Sequence, residues 1–263
     1  MSDQKVSFLQ KLIGYEPDVK VVRPDGTSVP LHTFLLPTAV FMLAALLLVI
    51  SIFLPYWSMK LTAPQYPKGL YTTVYVNHLE GDVHEIDGLN HYLGMPKLDE
   101  GGRLERSLSV FGIVALAFLL IATTFVHNHW AGILALPALL WPLVFLGDLA
   151  MILYTYGHSI DPKSALGSAI KPFTPPIFGQ GTIGNFGSFA TPGLGLLLAA
   201  LASVVILIGL WYHRSAYKPI VDARKKLKAV NQGSVDQGLG NSGLKRAGVI
   251  VVRIDRGEIL DAD

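Results

Sequence analysis

The chain has 263 residues, 51% of them apolar and 15% charged, with a mean hydropathy of +0.45 and a formal net charge of +2. Water-soluble domains carry about 25% charged residues, so a solvent other than water covers much of this surface. The absence of cysteine excludes disulfides, thiolate-held zinc or copper, iron–sulfur clusters and c-type haem, and so small a net charge gives no reason to expect nucleic acid as a partner.

In chain order, residues 1–33 form an N-terminal segment with four basic residues, Lys5, Lys11, Lys20 and Arg23. A helix needs roughly 20 apolar residues to cross a bilayer, and four stretches meet that requirement: 34–56, 107–126, 130–153 and 193–212. The expected fold class is therefore an all-α membrane protein of four transmembrane helices. The first span starts too late and runs too long for a cleaved signal core, so it is expected to stay in the mature protein. It closes on Tyr56-Trp57 and the last closes on Trp211-Tyr212, aromatic pairs suited to the membrane interface. The connections are a long first connector (57–106, with some β-structure), a short turn (127–129), a second long connector (154–192) and a basic tail (213–263).

Cations orient these spans. Ten basic residues lie in 213–263, and Arg214, Lys218, Arg224, Lys225, Lys226 and Lys228 fall close behind the last span. The connectors 57–106 and 154–192 carry only five and two. Four crossings put both termini on one side, so both ends and the 127–129 turn are expected in the cytoplasm of an inner-membrane, multi-pass protein. Both long connectors then face outward. The tail reads as a helix-compatible stretch over 216–230, with a β-like run over 247–254.

In the first connector, Leu70–Val76 is rich in β-branched and aromatic residues and reads as a strand after a turn-prone 63–69. Asp87 is a plausible N-cap for a helix over 88–95, which would set His91 and Met95 at i and i+4 on one face. Imidazole and thioether together suit copper. His84, His91 and Met95, with His158 from the second connector or His78, are thus candidate metal ligands. The plainer alternative has Met95 packed beneath the loop, His91 bonded to a carbonyl and His84 exposed. The His-Glu-x-x-His zinc helix is absent, because five residues separate His84-Glu85 from His91.

The second connector is rich in aromatic residues and proline, and proline lowers the entropy lost on ordering. Tyr92 of the first connector, with Phe173, Pro175, Pro176, Asn185 and Phe186 of the second, forms the candidate partner-facing set. Phe186 and Phe189 are expected to dip toward the membrane. Asp148 is a membrane-embedded acid in the third span, a functional candidate on principle. His127 and His129 flank the short turn at the rim, where they do not suit axial haem ligation, so no haem is expected. Gly179-x-Gly181-x-x-Gly184 spells a dinucleotide fingerprint without the strand and helix that motif needs. No nucleophile–base pair or phosphate loop is evident, and a non-enzymatic role is expected.

The segments Ala63-Pro64-Gln65-Tyr66-Pro67-Lys68-Gly69-Leu70 and Leu89-Asn90-His91-Tyr92-Leu93-Gly94-Met95 resemble the outer-loop signature of a family of small bacterial membrane proteins. That signature is Ala-Pro-Gln-Tyr-Pro-x-Gly-Leu followed by Leu-Asn-His-Tyr-Ile-Gly-Met. Gly157-His158-x-x-Asp161-Pro162 and Pro175-Pro176 through Asn185-Phe186 are similar to it as well. The family resembles the NosB-type accessory proteins of clade II nitrous oxide reductase gene clusters. The resemblance covers roughly residues 34–212 and leaves the basic tail outside. It implies a membrane component assisting a periplasmic copper-dependent respiratory enzyme, through copper handling, maturation or electron supply, with copper as the candidate cofactor. The alternative, of a different class, is a structural subunit of a larger membrane complex with no metal of its own.

Overall fold

A computed structural model describes residues 20–22, 28–30, 32–126, 130–165, 167–169, 171–183 and 186–236. The chain divides into two compact units, Met1–Ala39 with Leu210–Asp263, and Val40–Gly209. In the first unit, strands β1 (Lys20–Val22) and β2 (Ser28–Pro30) pair antiparallel, with Val21 opposite Val29. Helix α1 (His32–Ser51) begins in that unit and ends in the second.

The second unit continues with β3 (Trp57–Ala63), β4 (Tyr66–Val74), β5 (Leu79–Gly81), α2 (Val83–Leu93), α3 (Arg103–Thr123), α4 (Trp130–His158), β6 (Gly179–Ile183), β7 (Phe186–Pro192) and the start of α5 (Leu194–Asp236). The five strands make one antiparallel sheet in the order β5-β4-β3-β7-β6. The pair β3–β7 joins the two long connectors, with Met59 opposite Ala190 and Lys60 opposite Phe189. Both connectors therefore belong to one body.

This overturns the all-α, four-span expectation. The chain is mixed, and among the described residues three helices are long and apolar enough to cross a membrane: Arg103–Thr123, Trp130–His158 and Leu194–Lys218. Helix α1 ends at Ser51, the chain turns over Ile52 and Phe53, and β3 begins at Trp57. Residues 52–56, read as the end of a span, are thus the connection into the sheet. The argument that both termini share a side rested on an even number of crossings and loses that support.

The aromatic pair Tyr56-Trp57 is correspondingly core, at 0% and 3% exposure, rather than an interfacial belt. The Tyr56 hydroxyl bonds Ser51 Oγ (2.7 Å) and accepts the Trp141 indole N–H (3.1 Å), and its ring meets Phe145 edge-on at 4.8 Å. Trp57 donates from Nε1 to the Ile177 carbonyl (2.6 Å) and packs with Leu149, Leu153 and Ala190. Gly193 permits the closest approach in this region: its N–H donates to Tyr56 O (2.9 Å), and an added Cβ would stand 2.1 Å from Pro55 O. Between helices, Ser203 Oγ donates to Leu139 O (2.9 Å), a polar tie of the kind that joins helices in lipid.

Local boundaries also differ from the sequence reading. Strand β4 starts at Tyr66, inside the stretch read as a turn, because Pro64-Gln65 alone closes the β3–β4 hairpin, with Ala63 opposite Tyr66. Helix α2 starts at Val83, so Asp87 is internal rather than a cap. Its Oδ1 accepts the Leu98 N–H instead. Asp82 holds the N-cap position, but its carboxylate accepts the Tyr71 N–H (2.8 Å). The helix read over 216–230 is continuous with the last span as part of α5. The run 247–254, the turn 127–129 with His127 and His129, and Asn185 lie outside the described residues.

Candidate functional site

Helix α2 carries the residues singled out in the first connector. Ile86 and Asn90, four residues apart, are buried and seat one face, leaving His84, His91 and Tyr92 exposed, Tyr92 at 62%. The helix ends because Gly94 takes a left-handed conformation (φ 76°), with its N–H directed back to the last turn. Met95 donates its backbone N–H to Asn90 O (2.8 Å). Met95 therefore lies past the cap, and the i, i+4 relation with His91 does not hold as a helical one.

The second connector reaches this corner. Asp161 donates its N–H to Gly94 O (2.8 Å), and an added Cβ on Gly94 would stand 2.3 Å from Ser164 Oγ. Glycine at 94 thus serves both the left-handed turn and the close crossing. His158, three residues before Asp161, ends α4. Its Nδ1 lies 2.9 Å from the Tyr154 carbonyl, which accepts its proton, and its ring stacks on Tyr154 at 4.0 Å. His78 is engaged with Asn77 (2.7 Å) and Glu80 (3.3 Å) and stacks on Tyr75 at 4.3 Å. Desolvation first, and next the hydrogen bond and charge of Glu80, raise the Tyr75 phenol above its ordinary value.

The donor chemistry of His84, His91 and Met95 suits copper. His84 and His91 are two turns apart, a rise of ~10.5 Å along the axis, and Met95 is across the helix cap. Among the described residues, no three His, Asp or Glu side chains gather into a group able to hold a metal ion.

The remaining partner-facing candidates divide. Phe173 is half-buried: its N–H donates to Gly157 O (3.0 Å), tying the loop to the end of α4. Pro175 and Pro176 are half-buried, and the Pro176 ring lies against Gly181 of β6. Phe186 opens β7 and is half-buried. These residues brace the sheet within the chain. Asp148 is half-buried on α4 within electrostatic reach of Glu105, beside a cavity under the sheet.

The sheet's outer face supplies residues the sequence reading passed over. Gln180, Phe189, Lys60 and Tyr71 lie directly opposite one another across β6, β7, β3 and β4. Phe189 and Tyr71 are 47% and 52% exposed. Lys60 lies between them, its Nζ 5.2 Å from the Tyr71 ring centroid. The one available signal was period-two alternation in β4, where Leu70 and Thr72 are buried and Tyr71 is exposed.

Comparison with protein-family models, with curated proteins and with solved structures finds no match for this chain.

Proposed function

We propose that the chain is a non-enzymatic membrane accessory component whose sheet and α2 helix form a docking platform for a partner on the outer side of the cytoplasmic membrane. The observation that carries this reading is the Phe189–Lys60–Tyr71 row. Two exposed aromatic rings flank a lysine on a surface held rigid by three paired strands. Aromatic residues and polar rims characterise interfaces. The last span supports this sidedness: Arg214 and Lys218 stand at its C-terminal end, and the positive-inside rule then favours its start, which β7 precedes, on the outer side.

The family resemblance supports a periplasmic copper-dependent respiratory enzyme as that partner. To test it, the double variant Tyr71→Ser/Phe189→Ser is introduced into the native host. It should accumulate normally, yet lose co-purification with that enzyme and lower the enzyme's activity. Unchanged association and activity would sink the platform assignment.

A second reading, direct copper handling, draws on the Gly94–Asp161 contact, which brings the His158 segment to the corner carrying His91 and Met95. Purified protein should then take up Cu(I), and His91→Ala/Met95→Ala should abolish uptake. A protein that binds no Cu(I) leaves the metal-free structural role.

A further inference from the structure

A cavity of about 440 Å³ lies beneath β3 and β4, between the sheet and helices α3 and α4. Its wall is overwhelmingly apolar, with Trp57, Met59 and Val74 from the sheet, and Leu108, Phe145 and Leu149 from the helices. That volume and character match small-molecule sites, which are apolar with a few fixed polar groups. Neighbouring residues Leu104, Leu108 and Val144 belong to membrane-crossing helices and are 67%, 57% and 56% exposed, so this side is open to hydrocarbon.

Two polar atoms of the lining residues have no hydrogen-bond partner among the described residues: Thr72 Oγ1 and Arg106 Nε. Thr72 is 1% exposed. A buried polar group left unpaired costs about 1–3 kcal/mol, and native proteins leave few of them. The Nε–H is a donor only and the hydroxyl can donate, so together they call for an acceptor oxygen. Arg106 is already matched by Asp99, 3.8 Å from Nη1, and its Nη2 donates to the Asp99 carbonyl. Asp148 and Glu105 add carboxylates to the same wall. An anionic head group would meet those carboxylates, and a cationic one would meet Arg106. A neutral acceptor satisfies both unpaired donors.

We propose that this cavity binds a membrane lipophile through a neutral carbonyl-type head group, as carried by an isoprenoid quinone or by the ester of a glycerolipid. The apolar body lies against Trp57, Met59 and Phe145, and the carbonyl oxygen accepts from Thr72 and Arg106. This inference stands apart from the docking platform, which uses the opposite face of the sheet.

The test uses the full chain purified in detergent, with a short-chain quinone as probe and tryptophan fluorescence as one readout, because Trp57 and Trp141 both line the cavity. Native mass spectrometry of the same sample reports retained glycerolipid. Gly112→Leu fills the space, since an added Cβ on this lining glycine meets nothing within 4 Å. Thr72→Val removes the hydroxyl at nearly constant volume. Wild-type protein should show saturable quenching or a retained lipid. Gly112→Leu should abolish either signal, and Thr72→Val should weaken quinone binding about three- to tenfold or lower lipid retention, as expected for one lost hydrogen bond. Saturable quenching assigns the ligand to quinone, and retained glycerolipid without it assigns the ligand to lipid. Loss in Gly112→Leu with no change in Thr72→Val overturns the head-group assignment. Signals absent from wild type, or equal in all three proteins, overturn the site.

Discussion

Two rows of residues, one position apart on the same strands, have opposite roles. The inner row, Thr72–Met59–Ala190, faces the cavity and the α4 residues Leu149 and Leu153. The outer row, Tyr71–Lys60–Phe189–Gln180, faces away. Pleating alone separates them, because successive side chains on a strand point to opposite faces. The inner side adds Trp57 to a closed core, whereas the outer side leaves two aromatic rings about half exposed among the described residues. The difference separates residues that hold the fold from residues available to a partner.

The contrast can be broken by mutation. Trp57→Ala should have the largest effect, costing ~3–5 kcal/mol through the cavity left behind and the lost bond to Ile177, read by thermal unfolding in detergent. Gly193→Val should follow at ~1–3 kcal/mol, because the new side chain must displace the Pro55 carbonyl. Replacing Asp82 with Ala should cost about 1 kcal/mol by freeing the Tyr71 N–H. Tyr71→Ser and Phe189→Ser should each change stability by no more than ~0.5 kcal/mol. An outer-row substitution as costly as Trp57→Ala would remove the distinction between the rows.

How much of this was legible beforehand follows from sequence separation. The helices long and apolar enough to cross a membrane are local features, visible as apolar runs in 107–126, 130–153 (broken only by Asp148) and 193–212. Strand β4 was partly visible for the same reason, through its own β-branched and aromatic composition. The sheet was not, because its central pairing, β3 with β7, joins residues such as Lys60 and Phe189 that are far apart in the chain. Trp57–Ala63 follows directly on an apolar helix, so its first aromatic residue reads as a membrane anchor. The same limit hid the site. The start of α2 was obscured because Asp82 at its N-cap spends its carboxylate on a strand, while Asp87, the better-looking cap, binds Leu98. The proximity of the His158 segment to Met95 depends on a single backbone bond between Asp161 and Gly94, which no spacing rule encodes. Thr72 reads as an ordinary strand threonine until its buried, unpaired hydroxyl is seen.

The central claim, that the two connectors build one sheet outside the membrane, is open to a direct measurement because the native chain has no cysteine. Ser58 of β3 lies opposite Thr191 of β7, and opposed residues in antiparallel strands have Cα atoms about 4.5–5.5 Å apart, within disulfide range. The double variant Ser58→Cys/Thr191→Cys, expressed in intact cells without added oxidant, should form an intramolecular disulfide, because an oxidising exterior supports one and a reducing cytosol does not. Two thiols that stay reduced, and that react with a membrane-impermeant reagent only after the cells are opened, would contradict the account.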